Sequence, residues 1–160
     1  MLKIKPANNY EEEIKKNFND ILYTEDYLLW TGGLGHFEYR GVNNDENGNY
    51  YRFAILDDDK LIGYISYAID WYSSCAYNFG LISFDKGNVN VAIALYRLLD
   101  QIINEYHIHR IDYRMVGGNP VKRHYDRFCE KYNGRCIEFR DCFKDRTGKY
   151  RNEYIYEIIL

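Results

Sequence analysis

Several residue groups in this chain are of types that could do metal, phosphate or nucleophile chemistry, and their spacing decides against each. A zinc site needs closely spaced thiolate or imidazole ligands. Cys75, Cys129, Cys136 and Cys142 make no C-x-x-C pair, and no histidine is placed to complete a site. Buried free thiols, packing as small hydrophobes, are the expected state, and no metal is expected. Thr147-Gly148-Lys149 has the ending of a phosphate-binding P-loop, but Tyr150 stands where Ser or Thr is needed and Phe143 where the first glycine belongs. Gly32-Gly33-Leu34-Gly35 lacks both the G-x-G-x-x-G spacing and a preceding strand. His124 and Cys129 are five residues apart, so on a helix they diverge and do not form a nucleophile pair. His107 and His109 flank the start of a strand and read as structural.

Composition narrows the field further. A chain of 160 residues buries roughly 70% of its unfolded surface on folding and needs no disulfide or metal staple. With 18 tyrosines, only 2 prolines and 46% hydrophobic residues, it is neither disordered nor low-complexity. The best apolar run, Val91 to Tyr96, breaks at Arg97, and the charged start Met1-Leu2-Lys3-Ile4-Lys5-Pro6 does not read as a signal peptide. The expectation is one globular domain over residues 1–160, cytoplasmic, with no membrane partner. A pI near 5.8 argues against nucleic acid as a partner. Charge is uneven: residues 1–106 carry 9 Lys/Arg against 16 Asp/Glu, and residues 107–160 carry 12 against 8. Either this is ordinary surface variation, or the basic half meets an anion and the acidic half a cation.

The elements that would position any site follow from periodicity. Leu2 to Lys5 reads as a strand ended by Pro6. Asn8 or Asn9 would cap a helix through Glu11-Glu12-Glu13 with Ile14, Phe18, Ile21 and Leu22 on its apolar face. A second short helix would cover Glu25 to Trp30, and residues 31–49 read as a long loop. Strands are expected over Tyr50 to Leu56 and Leu61 to Asp70, joined by Asp57-Asp58-Asp59-Lys60, and over Ala76 to Phe84, where Gly80 suggests a bulge. Val91, Leu95, Leu98, Leu99, Ile102, Ile103 and Tyr106 form the core stripe of a long helix. Ile108 to Met115 alternates as a strand. Asn119 and Pro120 suit the cap and first position of a helix through Tyr132, stopped at Asn133-Gly134. Arg135 to Phe143 and Tyr150 to Leu160 close the chain as a hairpin. The order β-α-α-β-β-β-α-β-α-β-β gives an α/β domain, a mixed central sheet with flanking helices.

This order, with three local patterns, resembles the GNAT superfamily of acyl-CoA-dependent N-acetyltransferases. Leu61-Ile62-Gly63-Tyr64-Ile65 looks like the family's third-strand entry, and the bulge-prone strand through Leu81-Ile82-Ser83 feeds a long helix. Asn119-Pro120-Val121-Lys122-Arg123-His124-Tyr125 is similar to the family's helix that runs from an Asn to a Tyr, and the Asp145 to Tyr150 hairpin is also typical. One departure stands out. The family's diphosphate loop reads Q/R-x-x-G-x-G/A, so that backbone N–H groups approach phosphate at a helix N-terminus. Here the segment is Lys86, Gly87, Asn88, Val89, Asn90, Val91 and Ala92, and the central glycine is missing in either alignment.

The resemblance implies acetyl-CoA as co-substrate and direct acetyl transfer to a primary amine. That reaction needs an amine free of its proton, since an alkyl ammonium titrates at about 10. It also needs a fixed donor for the developing oxyanion and an acid for the leaving thiolate. By resemblance a backbone N–H near Leu81 or Ile82 is the donor and Tyr125 the acid, although Tyr125 also suits a plain core position. Asn119 would border the pantetheine. Lys122 and Arg123 would lie near the 3′-phosphate or else be solvated charges. No base is identifiable among His36, Glu38 and Asp70, and Tyr39, Tyr50 and Tyr51 are candidates for acceptor contact. The implied partner is an amine-bearing substrate, a cationic one if the acidic half is relevant, met by a monomer or homodimer. A GNAT-like binding domain with little catalysis, or an unrelated small-ligand sensor on the same α/β fold, are the competing readings.

Overall fold

Alternating apolar residues in strands and 3.6-residue stripes in helices each leave one dry face, and these faces meet at the sheet. The computed structural model describes residues 1–29 and 49–160. Along the chain run β1 (Leu2–Pro6), α1 (Glu11–Thr24), β2 (Tyr50–Asp57), β3 (Lys60–Asp70), β4 (Cys75–Ser83), α2 (Val89–Asn104), β5 (Arg110–Val116), α3 (Lys122–Lys131), β6 (Arg135–Lys144) and β7 (Tyr150–Ile159). The strands make one mixed sheet, ordered β1-β2-β3-β4-β5-β7-β6, which is the expected α/β class. Neighbours are antiparallel except β4 and β5, the parallel pair joined by the α2 crossover.

The two faces carry separate cores. Ile14, Phe18 and Leu22 of α1 pack with Ala54, Tyr64 and Ile82 on one face. Burying such a side chain contributes about 1.5–3 kcal/mol, so the α1 stripe is ample to dock a helix of low intrinsic preference. On the other face α2 brings Val91, Leu95, Leu98 and Ile102, and α3 brings Tyr125 and Phe128, against Ile65, Tyr67, Ile111, Tyr113 and Tyr156. Gly63 lets α2 come close: a Cβ there would stand 2.9 Å from the Ile82 carbonyl oxygen and 3.3 Å from Val91 Cγ2.

Several boundaries differ from the sequence reading, each for a local reason. Residues Ala7–Tyr10 form a 3-10 turn, so Tyr10 precedes α1 and no Asn side chain caps it. The expected second helix is a single 3-10 turn, Asp26–Leu29, and Trp30 lies outside the described residues. Asn119 caps a turn rather than the helix itself: its Oδ1 accepts from the Val121 N–H at 3.0 Å, and α3 starts at Lys122. The bulge in β4 falls two residues before Gly80, at Asn78, where the register slips between Ser66↔Gly80 and Ala68↔Tyr77. The thiols are free as expected, but only Cys129 is buried; Cys136 and Cys142 are exposed on β6, the sheet's edge.

Candidate active site

The site begins where two parallel strands part. β4 and β5 pair only at Cys75↔Arg110 and Ala76↔Ile111. Just beyond, Asn78 adopts φ +54, a left-handed conformation that Asn tolerates better than most residues. The bulge it makes turns β4 away from β5, and the two strands carry no ladder between them from there to their C-terminal ends.

Tyr125 of α3 lies in the cleft that results. With Phe79, Leu95, Leu99, Tyr113 and Phe128 it lines a narrow apolar space between β4, β5 and the two helices. The residue is 3% exposed, and its hydroxyl has no hydrogen-bond partner among the described residues. Burial pushes its pKa well above the ordinary tyrosine value, so the phenol keeps its proton at neutral pH. Its ring is held edge-on to Tyr113, centroids 4.7 Å apart, and Tyr113 is stacked on Tyr156 at the same spacing. Asp126 accepts the Tyr156 phenol at 2.6 Å and the Lys122 ammonium at 2.8 Å. Tyr67 also has a buried hydroxyl with no partner among the described residues, but its ring is sandwiched between Tyr51 and Phe79 in the core and does not line the cleft.

The other expected site residues fall in three places. Leu81 and Ile82 are buried in β4, paired with Ile65 and Tyr64 of β3, and Ser83 donates to the Asp85 carbonyl at 3.0 Å. Around the α2 N-terminus, Lys86 pairs with Glu25 and Gly87 takes φ +83 with open space beside it. Asn88 caps α2 by accepting the Asn90 N–H at 3.0 Å, and Asn90 donates to Asp57 at 2.8 Å. Val89 is exposed, Val91 is buried against Gly63, and Ala92 is half-buried. Two carboxylates thus stand at this helix end. Asn90 and the chain's amino terminus hold Asp57 below the usual carboxylate range, and Asn88 and Lys60 do the same for Asp85.

At the far end of β5, Asn119 donates to the Leu28 carbonyl at 3.1 Å and ties the 3-10 turn to the loop before α3. Lys122 lies on Asp126 and over the Tyr154 ring, 4.4 Å from its centroid, while Arg123 is exposed. Asp70 accepts the Tyr72 and Ser73 N–H groups and the Ser73 hydroxyl, so it closes the β3–β4 turn. Tyr51 stacks on Tyr67 in the core, whereas His36, Glu38 and Tyr39 lie outside the described residues. Sequence reasoning missed Asn78 and Tyr113. It also missed the charged face formed by Arg110, Asp112 and Arg114 of β5, whose alternation was visible but whose partners on β7 and β6 were not.

Neither a family model nor a curated protein sequence matches the chain. Solved structures do. A ribosomal L7/L12 α-N-protein acetyltransferase, RimL, in complex with coenzyme A superposes with a TM-score of 0.69 at 13% identity, over 99% of this chain and 94% of that one. Spermidine N-acetyltransferase from Vibrio cholerae in complex with CoA and spermine gives 0.66 at 16% identity, over 99% and 95%. An acetyltransferase from Salmonella typhimurium that modifies the N-terminal serine of ribosomal protein L7/L12 gives 0.64 at 14%, over 99% and 95%. The chain has the fold of these acetyltransferases, as the GNAT resemblance implied.

Proposed function

We propose that this protein is an acetyl-CoA-dependent N-acetyltransferase that transfers the acetyl group directly to an amine, with Tyr125 as the acid. The observation that carries this reading is the Tyr125 hydroxyl: buried, protonated and without a partner among the described residues, at the gap between β4 and β5 of an acetyltransferase fold. A buried hydroxyl left unbonded costs about 1–3 kcal/mol, so a group that would engage it is the natural occupant of the cleft. A thioester sulfur fits that description.

In the reaction the amine nitrogen bonds to the acetyl carbon and the carbon–sulfur bond breaks. The ammonium gives one proton to solvent before attack, and the nitrogen gives a second as the amide forms. The departing sulfur takes its proton from the Tyr125 phenol, which is reprotonated from solvent, so one proton is released net. The apolar walls Phe79, Leu95 and Phe128 would exclude water from this proton transfer. The turn from Lys86 to Ala92 would hold the diphosphate, with Gly87 leaving room beside its backbone. By the family's pattern Asn119 would border the pantetheine, and the exposed Arg123 would lie near the 3′-phosphate. The acceptor is an amine, cationic in solution, as the acidic first half of the chain favours.

The α2 N-terminus supports a second reading. Asn88 already engages one first-turn amide, and Asp57 and Asp85 place negative charge where a diphosphate would lie. A GNAT-like binding domain with little catalysis would have these features. Thermal unfolding with acetyl-CoA separates the two. Acetyl-CoA at about 100 times its Kd adds roughly 2.7 kcal/mol, a melting shift of roughly 5–11 °C for this size. No shift at millimolar acetyl-CoA sinks the enzyme reading.

A further inference from the structure

We infer that the acceptor carries a carboxylate beside its amine, as an amino acid does, and that Arg114 and Arg135 bind that carboxylate across the sheet from Tyr125. The inference rests on the acetyltransferase reading and names its acceptor class.

Two spaces meet at the splayed strands. Along β5, Tyr113 is buried toward α3 and Tyr125, so its neighbours Asp112 and Arg114 project from the opposite face. On that face is a cavity of about 330 Å³ beside the Asn78 bulge. Phe79 and Tyr113 line both this cavity and the Tyr125 cleft. An acceptor in the cavity would therefore stand across the gap from a thioester in the cleft. The volume is at the lower end of small-molecule sites, suited to a compact acceptor.

Hydrogen-bond capacity in the cavity is one-sided. Both Asp112 oxygens are engaged by Arg110, through Nε at 3.1 Å and Nη2 at 3.0 Å. Both Glu157 oxygens are engaged too, by Arg110 Nη1 at 2.8 Å and Arg135 Nε at 2.7 Å. Arg110 thus has all three nitrogens committed. Arg114 makes one bond, from Nη1 to Glu153 at 3.2 Å, and Arg135 uses only its Nε. Among the described residues, then, every oxygen of these two carboxylates already accepts from an arginine, whereas Arg114 and Arg135 keep uncommitted guanidinium N–H donors. Guanidinium donors in a fixed fork match a carboxylate with two parallel bonds. A polyamine would meet no carboxylate among these residues that is not already ion-paired to an arginine. The shared fold of a spermidine acetyltransferase does not carry its acceptor across, because substrate choice belongs to the site.

The test is an acetyl-transfer assay with matched acceptors: free amino acids, the amines formed by removing their carboxylates, and spermidine. At least one amino acid is expected to exceed its decarboxylated counterpart and spermidine by tenfold or more in kcat/KM. Arg114→Gln is expected to raise KM for that amino acid by roughly 10–100-fold, with KM for acetyl-CoA unchanged. Arg135→Gln is the second variant, with the same signature. Preference for the decarboxylated amine or for spermidine overturns the inference, and so does an amino-acid KM indifferent to both substitutions. If acetyl-CoA shifts the melting point but no carboxylate-bearing amine is acetylated, the inference alone fails. If acetyl-CoA gives no shift, the enzyme reading fails first and the inference falls with it.

Discussion

The phenol of Tyr113 donates to the main-chain carbonyl of Tyr125 at 3.0 Å, while the phenol of Tyr125 itself has no partner among the described residues. One tyrosine fixes the other by its backbone and ring and leaves its hydroxyl unengaged. Tyr125→Phe should therefore separate activity from stability. Loss of the acid is expected to lower kcat by roughly 10²–10⁴-fold, the usual contribution of general acid catalysis, with KM for acetyl-CoA little changed. Removing an unbonded buried hydroxyl is expected to leave the melting point the same or higher. Tyr67→Phe is the control, because it removes a hydroxyl that is equally buried and unbonded but outside the cleft. It should match the stability effect without the loss of rate. Equal kcat in Tyr125→Phe and wild type would remove Tyr125 as the acid.

Tyr113→Phe keeps the ring stack on Tyr156 and removes only the hydrogen bond to α3. A buried bond of this kind contributes about 0.5–1.5 kcal/mol, so chemical denaturation should show a loss of that size at unchanged m-value. If the bond also sets where Tyr125 stands, kcat falls by less than in Tyr125→Phe and KM for acetyl-CoA holds. A variant with wild-type kcat would make the bond a matter of stability alone.

How far the sequence reveals such arrangements depends on whether one element or several are involved. The α2 stripe and the β5 alternation belong to single elements, and their periods identified them directly. The β4 bulge does not: Gly80 was the residue that advertised it, yet the slip occurs at Asn78, opposite Tyr67 of another strand. Only the pairing register shows which residue is left over. The same holds for Arg110, whose partners Asp112 and Glu157 lie on two strands, and for Arg135, brought to Glu157 by a hairpin. Tyr125 was legible through its resemblance to a family pattern; that its hydroxyl is unbonded was not. Cysteine burial was misjudged for Cys136 and Cys142 because edge position is set by strand order, which composition does not carry.

The exposed and buried thiols give a direct check on that order. A thiol-alkylating reagent should modify Cys136 and Cys142 in the native protein and leave Cys129 protected until unfolding. Cys129 is 5% exposed, and burial raises its thiol pKa, which slows reaction further. Mass spectrometry of peptides after a short native labelling pulse reads the pattern. Native labelling of Cys129 at the rate of Cys142 would contradict the packing of α3 against the sheet.

Acid should weaken the β6–β7 turn through one carboxylate, Asp145, that holds its charge to low pH. The Asp145 carboxylate is 5% exposed and accepts the Thr147 hydroxyl at 2.6 Å, the Arg151 Nε at 2.6 Å, and the Thr147 and Lys149 N–H groups. Thr147 first, then Arg151, holds its pKa down at about 2. A depressed carboxyl pKa contributes stability above the unfolded value, about 3.9, which is lost as pH falls through the folded one. The contribution is therefore full at neutral pH and disappears between about pH 4 and 2. Asp145→Asn should flatten the melting curve's pH dependence in that window while lowering stability at pH 7. A slope there identical to wild type would show that Asp145 is not the group titrating.

Arg151 carries the same brace across the open end of the sheet, and Gly118 leaves room for it. The guanidinium bonds the Gly117 carbonyl at 3.3 Å and lies 3.8 Å above the Tyr27 ring, joining β7 to the loop before α3 and to the 3-10 turn. Gly118 has φ +95, and a Cβ there would stand 2.3 Å from Arg151 Nη1. Gly118→Ala thus incurs both backbone strain and displacement of Arg151, and is expected to destabilise by more than about 1 kcal/mol. Arg151→Lys removes the planar stack while keeping the charge, and separates the two causes. If displacement of Arg151 is the larger cost, Gly118→Ala adds little in the Arg151→Lys background, and a double-mutant cycle shows a coupling of 0.5 kcal/mol or more. Full additivity would assign the cost to the backbone at Gly118 alone.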